Sequence, residues 1–250
     1  MVRRMSSNET PARAPGGPVS RMERLASDLI LTPTTVTEIQ ELTGRFRLIE
    51  LEGEGLRKGR FRPGDKLQIR VAPWKLRTYT PLHWDYTLGR TQLLAFVHAA
   101  GPGTTWATSL AVGTRVDVLG PRASIPLSDL GDRAVLFGDE TSVGVAAVLR
   151  ASRPGAEALL ESSFPGETEQ VLASLGLDDA VVIPRTSGDA HLVEIRDRLR
   201  RAAREPGPPA LVLTGRAQSI QAVRALLDPP SRRSVARTKA YWAVGKAGLD

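Results

Sequence analysis

Halfway along this 250-residue chain the hydrophobic pattern changes its period, and that change limits the folds open to it. Residues 35–39, 45–51 and 66–71 alternate apolar with polar side chains, and further strands are expected near 76–81, 92–98 and 115–119, with one helical stretch at 104–111. Gly44, Gly53, Pro63-Gly64 and Pro73 bound the strand runs. A period of two with tight turns and one short helix predicts an antiparallel β-barrel or sandwich. Beyond Gly131 short apolar strands at 134–137, 158–160, 180–183 and 210–213 are each followed by a helical pattern, at 142–149, 168–175, 191–201 and 219–227, before a last strand at 235–242. Four such alternations predict a parallel α/β sheet. The boundary falls between Leu127 and Asp132, giving domains at 22–130 and 131–250 after a Pro- and Gly-rich tail, 1–21, expected to be disordered.

Composition removes several kinds of chemistry. The chain has no Cys, which excludes disulfides, iron–sulfur clusters and thiolate metal sites. Its three histidines, His83, His98 and His191, stand at no ligand spacing, so no metal site is expected. If this chain moves electrons, an organic cofactor carries them. Arg3 and Arg4 are followed by Ser, Pro and Gly rather than an apolar run, unlike a signal peptide. No apolar stretch approaches the roughly 20 residues that span a bilayer. A cytoplasmic monomer without membrane insertion is therefore expected.

The net charge of +7 is unevenly placed: residues 1–131 hold 18 Lys and Arg against 12 Asp and Glu, and the remainder 16 against 15. The basic run Arg57, Lys58, Arg60 and Arg62 lacks the interleaved aromatic rings of a single-strand platform, and nucleic acid is not expected as a partner. A small anionic cofactor and an anionic substrate account for the surplus, as does a solvated basic face.

Two segments in the basic half carry a specific chemistry. Arg77-Thr78-Tyr79-Thr80-Pro81 supplies a permanent cation, a flat ring and a neighbouring hydroxyl. His98 is followed by Gly101-Pro102-Gly103-Thr104-Thr105-Trp106, a glycine turn that opens a short helix, where free N–H groups and the positive dipole end favour a phosphate. Together they match the needs of a flavin dinucleotide: donors for a pyrophosphate, a ring to stack on, and a hydrogen-bonding group near the reactive nitrogen. Alone, each has a plainer reading, as strand residues, a partly buried histidine, or a Trp that packs its helix. In the second half Gly138-Asp139-Glu140-Thr141-Ser142 ends the first parallel strand, where ligands of open α/β sheets collect. The GxGxxG fingerprint is absent, and Asp139, Thr141 or Ser142 would serve equally as an N-cap. Gly215-Arg216 ends the fourth strand in a second such loop.

In this order the segments resemble the siderophore-interacting, FAD-binding branch of the ferredoxin reductase-like flavoproteins, from about Thr34 onward. The resemblance rests on RTYTP at 77–81, Trp84-Asp85, HAAGPGTTWA at 98–107, Gly113, Gly120-Pro121-Arg122, GDET at 138–141, Tyr241-Trp242 and Gly245. It implies a two-domain fold, an antiparallel β-barrel that binds FAD followed by an α/β parallel-sheet domain that binds NAD(P)H. By that likeness Arg77 would pair with the FAD pyrophosphate, with Thr78 beside it, Tyr79 would stack on the isoalloxazine, and Thr80 would bond near N5. The stretch from Gly101 to Trp106, with His98, would contact the cofactor, the GDET loop would lie beside the nicotinamide nucleotide, and Tyr241 and Trp242 would stand near the junction. The implied activity is reduction of a ferric siderophore, with a cationic rim for the chelate at Lys75, Arg122, Lys239 and Lys246. A general flavin reductase with a protein or quinone acceptor, or a binding module without turnover, are the other readings. Two departures fall in the nucleotide domain: Ser142-Val143-Gly144-Val145 replaces the family's small residue and Pro-Ala, and Gly215-Arg216-Ala217 replaces Gly-Glu-Ala. Arg185 or Arg216 gripping a 2′-phosphate favours NADPH, whereas Glu161 on ribose hydroxyls favours NADH; NADPH is the slightly preferred expectation.

Overall fold

The computed structural model describes residues 31–98 and 100–245. The tail expected to be disordered and Lys246 lie outside the described residues. The chain divides into Met1–Leu31 and a compact unit, Thr32–Asp250, and the described elements belong to the latter.

Seven antiparallel strands form the first sheet: β1 (Thr32–Glu41), β2 (Phe46–Glu52), β3 (Lys66–Ala72), β4 (Lys75–Tyr79), β5 (Pro81–Asp85), β6 (Arg90–Phe96) and β7 (Arg115–Arg122). Their order is β4-β3-β7-β1-β2-β6-β5. The two edge strands are thus consecutive in the chain, with only Thr80 between them. Laid flat, seven strands would span about 29 Å, while residues 79 and 81 stand at most about 7 Å apart. The sheet must therefore curl into an open barrel whose seam is Thr80. Residues 76–81, expected as one strand, are two: Pro81 starts β5 on an edge, where its missing N–H costs no ladder bond. Alternation along β2 and β6 sends Ile49, Leu51, Leu93 and Ala95 inward, where they meet Leu67, Ile69, Val116 and Val118. Helix α1 (Pro102–Ser109) closes this core with Trp106 and Ala107.

The second sheet is wholly parallel, with β8 (Ala134–Gly138), β9 (Glu157–Ser162), β10 (Val181–Pro184), β11 (Ala210–Arg216) and β12 (Val235–Trp242) in the order β10-β9-β8-β11-β12. Helices α2 (Val143–Ser152), α3 (Pro165–Ser174), α4 (Leu192–Arg204) and α5 (Ala217–Leu226) follow the first four strands, and a short α6 (Pro229–Arg233) precedes the last. Chain order reverses between β8 and β11, so the loops after those strands flank the switch point at which open α/β sheets bind ligands. Among the described residues no helix is long and apolar enough to cross a membrane.

One apolar cluster joins the two sheets. Phe46, Ile125 and Leu127 from the barrel side pack with Val143, Ala146 and Leu149 of α2, flanked by Leu82, Leu94 and Phe96. Phe46 is fully buried and stands 4.9 Å from Phe96, centroid to centroid. Phe46→Ala opens a cavity there, with an expected loss of about 3–5 kcal/mol, read as a lower urea midpoint.

Candidate functional site

Thr80, the seam residue, is where the barrel and the parallel sheet meet. Gly144, in the first turn of α2, faces it: a methyl group on Gly144 would lie 3.9 Å from the Thr80 carbonyl oxygen and 3.5 Å from Leu82 Cδ2. The departure from the family pattern at 142–145 therefore packs the helix against the proposed flavin strand without a clash. From the other side Tyr241, at the end of β12, buries its hydroxyl beside the Thr80 side chain, yet that oxygen has no partner at hydrogen-bonding geometry. Burial pushes the Tyr241 phenol well above its ordinary range, the Asp139 carboxylate adds to the rise, and Thr80 opposes it.

The two barrel motifs come together as expected for neighbours. Strand β4 pairs with β3, setting Arg77 opposite Ile69, Thr78 opposite Gln68 and Tyr79 opposite Leu67. Gly103 lies against the Arg77 side chain, where an added methyl would stand 3.5 Å from Cγ. The Tyr79 and Trp106 rings are 5.6 Å apart and tilted by 41°. Burial raises the Tyr79 phenol far above its usual range, with Arg77 pulling it down. Arg77 Nη1 donates to the Leu76 carbonyl at 2.7 Å. Helix α1 starts with Pro102 at its first position behind Gly101, and no side chain caps it. Its first N–H groups, those of Gly103 and Thr104, are of the kind an intrahelical ladder leaves over. This donor set suits a pyrophosphate: an uncapped helix start, its dipole, and a guanidinium on the same face. The Thr104 and Thr105 carbonyls accept from Thr108 Oγ1. His98 is exposed and stacks on Phe96 at 5.1 Å. With Thr104, Arg45 and Glu167 it lines a cavity of about 320 Å³.

The GDET loop is built largely to hold itself. Asp139 is completely buried and caps the turn 140–142, accepting from the Thr141 N–H at 2.9 Å in a capping box with Ser142. It also accepts from Trp242 Nε1 at 2.7 Å. Gly215 has φ +94°, and a side chain there would strike the Asp139 carboxylate at 2.6 Å, so only glycine lets β11 run past this loop. Glu140 turns inward, accepting from the Ser163 N–H at 2.6 Å, and pairs with Arg185 at 3.1 Å. Of the plainer readings, the N-cap by Asp139 is the one observed.

Arg185 and Arg216 belong to one ion network across the carboxyl ends of β9, β10 and β11. Glu161, fully buried, stands 3.4 Å from Arg185, 3.6 Å from Arg216 and 2.6 Å from His191 Nε2, and accepts from Ser219 Oγ. Arg216 also pairs with Asp189. Asp189, His191 and Ser219 were not among the site residues expected from the sequence. The usable signal was a carboxylate and two arginines each placed at the end of a parallel strand, where the chain ends converge.

Of the proposed cationic rim, Lys75, Arg122 and Lys239 lie among the described residues. Arg122 pairs with Lys66 at one end of β3 and donates to Gln68, whereas Lys75 opposes Ala72 at the other, about 20 Å along the strand. Lys239, on β12, lies opposite Thr214 of β11. Among the described residues no cluster of three or more His, Asp or Glu is placed to hold a metal ion.

Residues 71–125 match the family model of the siderophore-interacting FAD-binding domain. No curated protein matches the chain. Among solved structures, the siderophore-interacting protein of Acinetobacter baumannii is similar at 18% identity and TM-score 0.65, covering 87% of this chain and 92% of that one. A siderophore utilization protein from T. fusca is similar at 20% identity and TM-score 0.64, covering 88% and 95%. Phthalate dioxygenase reductase, described as carrying electrons from pyridine nucleotides to a [2Fe-2S] centre, reaches TM-score 0.67 at 15% identity, covering 89% and 71%. The chain thus shares its two-part fold with these structures, and over residues 71–125 the resemblance drawn from its motifs is matched by the family model.

Desolvation at Asp139, reinforced by Glu140 and Glu161 and opposed by Thr141 and Trp242, raises its carboxyl from 3.8 to about 6. Between those values the folded protein binds more protons than the unfolded chain, so this group makes stability fall as pH rises from about 4 to about 6, by about 3 kcal/mol in total. Asp139→Asn is expected to lack that component in urea titrations across the window, and an unaltered slope would contradict the assignment.

Proposed function

We propose that the chain is an FAD-dependent NAD(P)H oxidoreductase of the cytoplasm that reduces ferric siderophores and releases Fe(II). The carrying observation is the convergence at the Thr80 seam: Arg77 and the uncapped start of α1 on one side, Tyr241 on the other. Arg77 and the Gly103 and Thr104 N–H groups hold the pyrophosphate, with Thr78 and Thr105 beside them. Tyr79 offers its ring, and Thr80 places a hydroxyl next to the reactive edge. Tyr241 and Trp242 cover the junction and keep water from it. FAD bound there supplies a two-electron acceptor for hydride and a one-electron donor to Fe(III), so one hydride serves two iron centres. The chain then needs little acid–base apparatus. Hard oxygen ligands hold Fe(III) far better than the softer Fe(II), and reduction alone loosens the chelate.

The match over residues 71–125 favours a siderophore as acceptor. The fold shared with phthalate dioxygenase reductase supports a second reading, delivery of electrons to a protein. Purified protein is expected to be yellow, to bleach anaerobically with a pyridine nucleotide, and to regain colour on mixing with a ferric chelate. Reoxidation by an iron–sulfur protein alone would favour the second reading, and colour without bleaching would favour a binding module. Arg77→Ala is expected to weaken FAD binding by about 1.5–3 kcal/mol in equilibrium dialysis.

A further inference from the structure

The ion network at the carboxyl ends of the parallel strands has a consequence for the electron donor. We infer that the chain selects NADH over NADPH, because Glu140 and Glu161 already neutralise the two arginines that a 2′-phosphate would need. This rests on the reading of the second sheet as the site of a pyridine nucleotide.

Both guanidiniums are engaged. Arg185 donates from Nη1 to Ser163 Oγ at 2.7 Å and from Nη2 to Glu140 at 3.1 Å, with Glu161 at 3.4 Å, and its Nε is buried without a partner. Its guanidinium carbon lies 5.9 Å from the centre of the Trp242 ring. Arg216 donates from Nε to Ser219 Oγ and pairs with Asp189, with Glu161 at 3.6 Å. A bidentate grip on a phosphate needs a free fork, and to offer one Arg185 would have to give up Glu140, and Arg216 would have to give up Asp189.

The charge balance points the same way. Four carboxylates, Asp139, Glu140, Glu161 and Asp189, stand against two guanidiniums, Arg185 and Arg216, a surplus of two negative charges. A 2′-phosphate brings up to two further negative charges into this crevice. The 2′-hydroxyl of NADH is neutral and can donate to a carboxylate. The sequence preferred NADPH slightly, on a grip by Arg185 or Arg216; the partners of both arginines favour the other donor.

The test is calorimetric titration of the FAD-loaded full chain with 5′-AMP and with 2′,5′-ADP, which differ only in the 2′-phosphate, at low salt. 5′-AMP is expected to bind at least about tenfold tighter than 2′,5′-ADP, with the ratio shrinking as salt rises. Equal or tighter binding of 2′,5′-ADP would overturn the inference while leaving the oxidoreductase reading intact. Binding of neither would remove both the inference and the nucleotide half of that reading. Glu140→Gln is expected to narrow the preference by about tenfold, and Asp189→Asn, at a partly exposed position where folding is not at stake, by a smaller factor. A preference unchanged in both variants would show that the network does not set it.

Discussion

A single residue joins the two edges of a seven-stranded sheet, and the rest of the architecture follows from that restriction on chain length. Because Thr80 alone separates β4 from β5, the sheet cannot lie flat, and its curl brings Arg77 and Tyr79 against α1, which enters the chain more than twenty residues later. The seam also leaves a place where no strand covers the barrel. Helix α2 and the end of β12 fill it, through Gly144 and Tyr241. A cofactor held by the barrel therefore faces the second sheet without any mobile element having to be invoked.

The junction is secured by two unlike forces. Apolar packing around Phe46, Leu82 and α2 supplies most of the attraction, since Phe46 and Val143 leave water completely and Leu82 in part. The polar network at the strand ends contributes little net stability, because the desolvation of Glu161 and the arginines offsets much of their mutual attraction. What the network supplies is definition. Each strand end is tied to the next, from Trp242 through Asp139 on one side and from Glu140 through Arg185 to Glu161 on the other. The raised Asp139 carboxyl records above all the cost of taking a carboxylate out of water, with its acidic neighbours adding less.

Loops that look like ligand binders in sequence divide into two kinds here. The glycine turn before α1 has no side-chain cap, in keeping with its lack of any Ser, Asp or Asn just before Pro102. The GDET loop satisfies its own donors through Asp139 and Ser142, and its glutamate is turned to Ser163 and Arg185. The same amino-acid types thus serve as contact or as scaffold according to what the next strand presents.

Local pattern was enough to read the two halves, the order of strands and helices, and the pairing of RTYTP with the glycine turn, because alternation and helix starts are short-range properties of the chain. Strand β5 escaped it, since Thr-Pro at 80–81 continues an extended run whether or not the sheet partner changes. Whether Arg185 and Arg216 are free or paired was likewise beyond its reach. Their partner Glu161 lies 24 and 55 positions away, and only the parallel sheet, by bringing the ends of β9, β10 and β11 side by side, decides that the carboxylate reaches both.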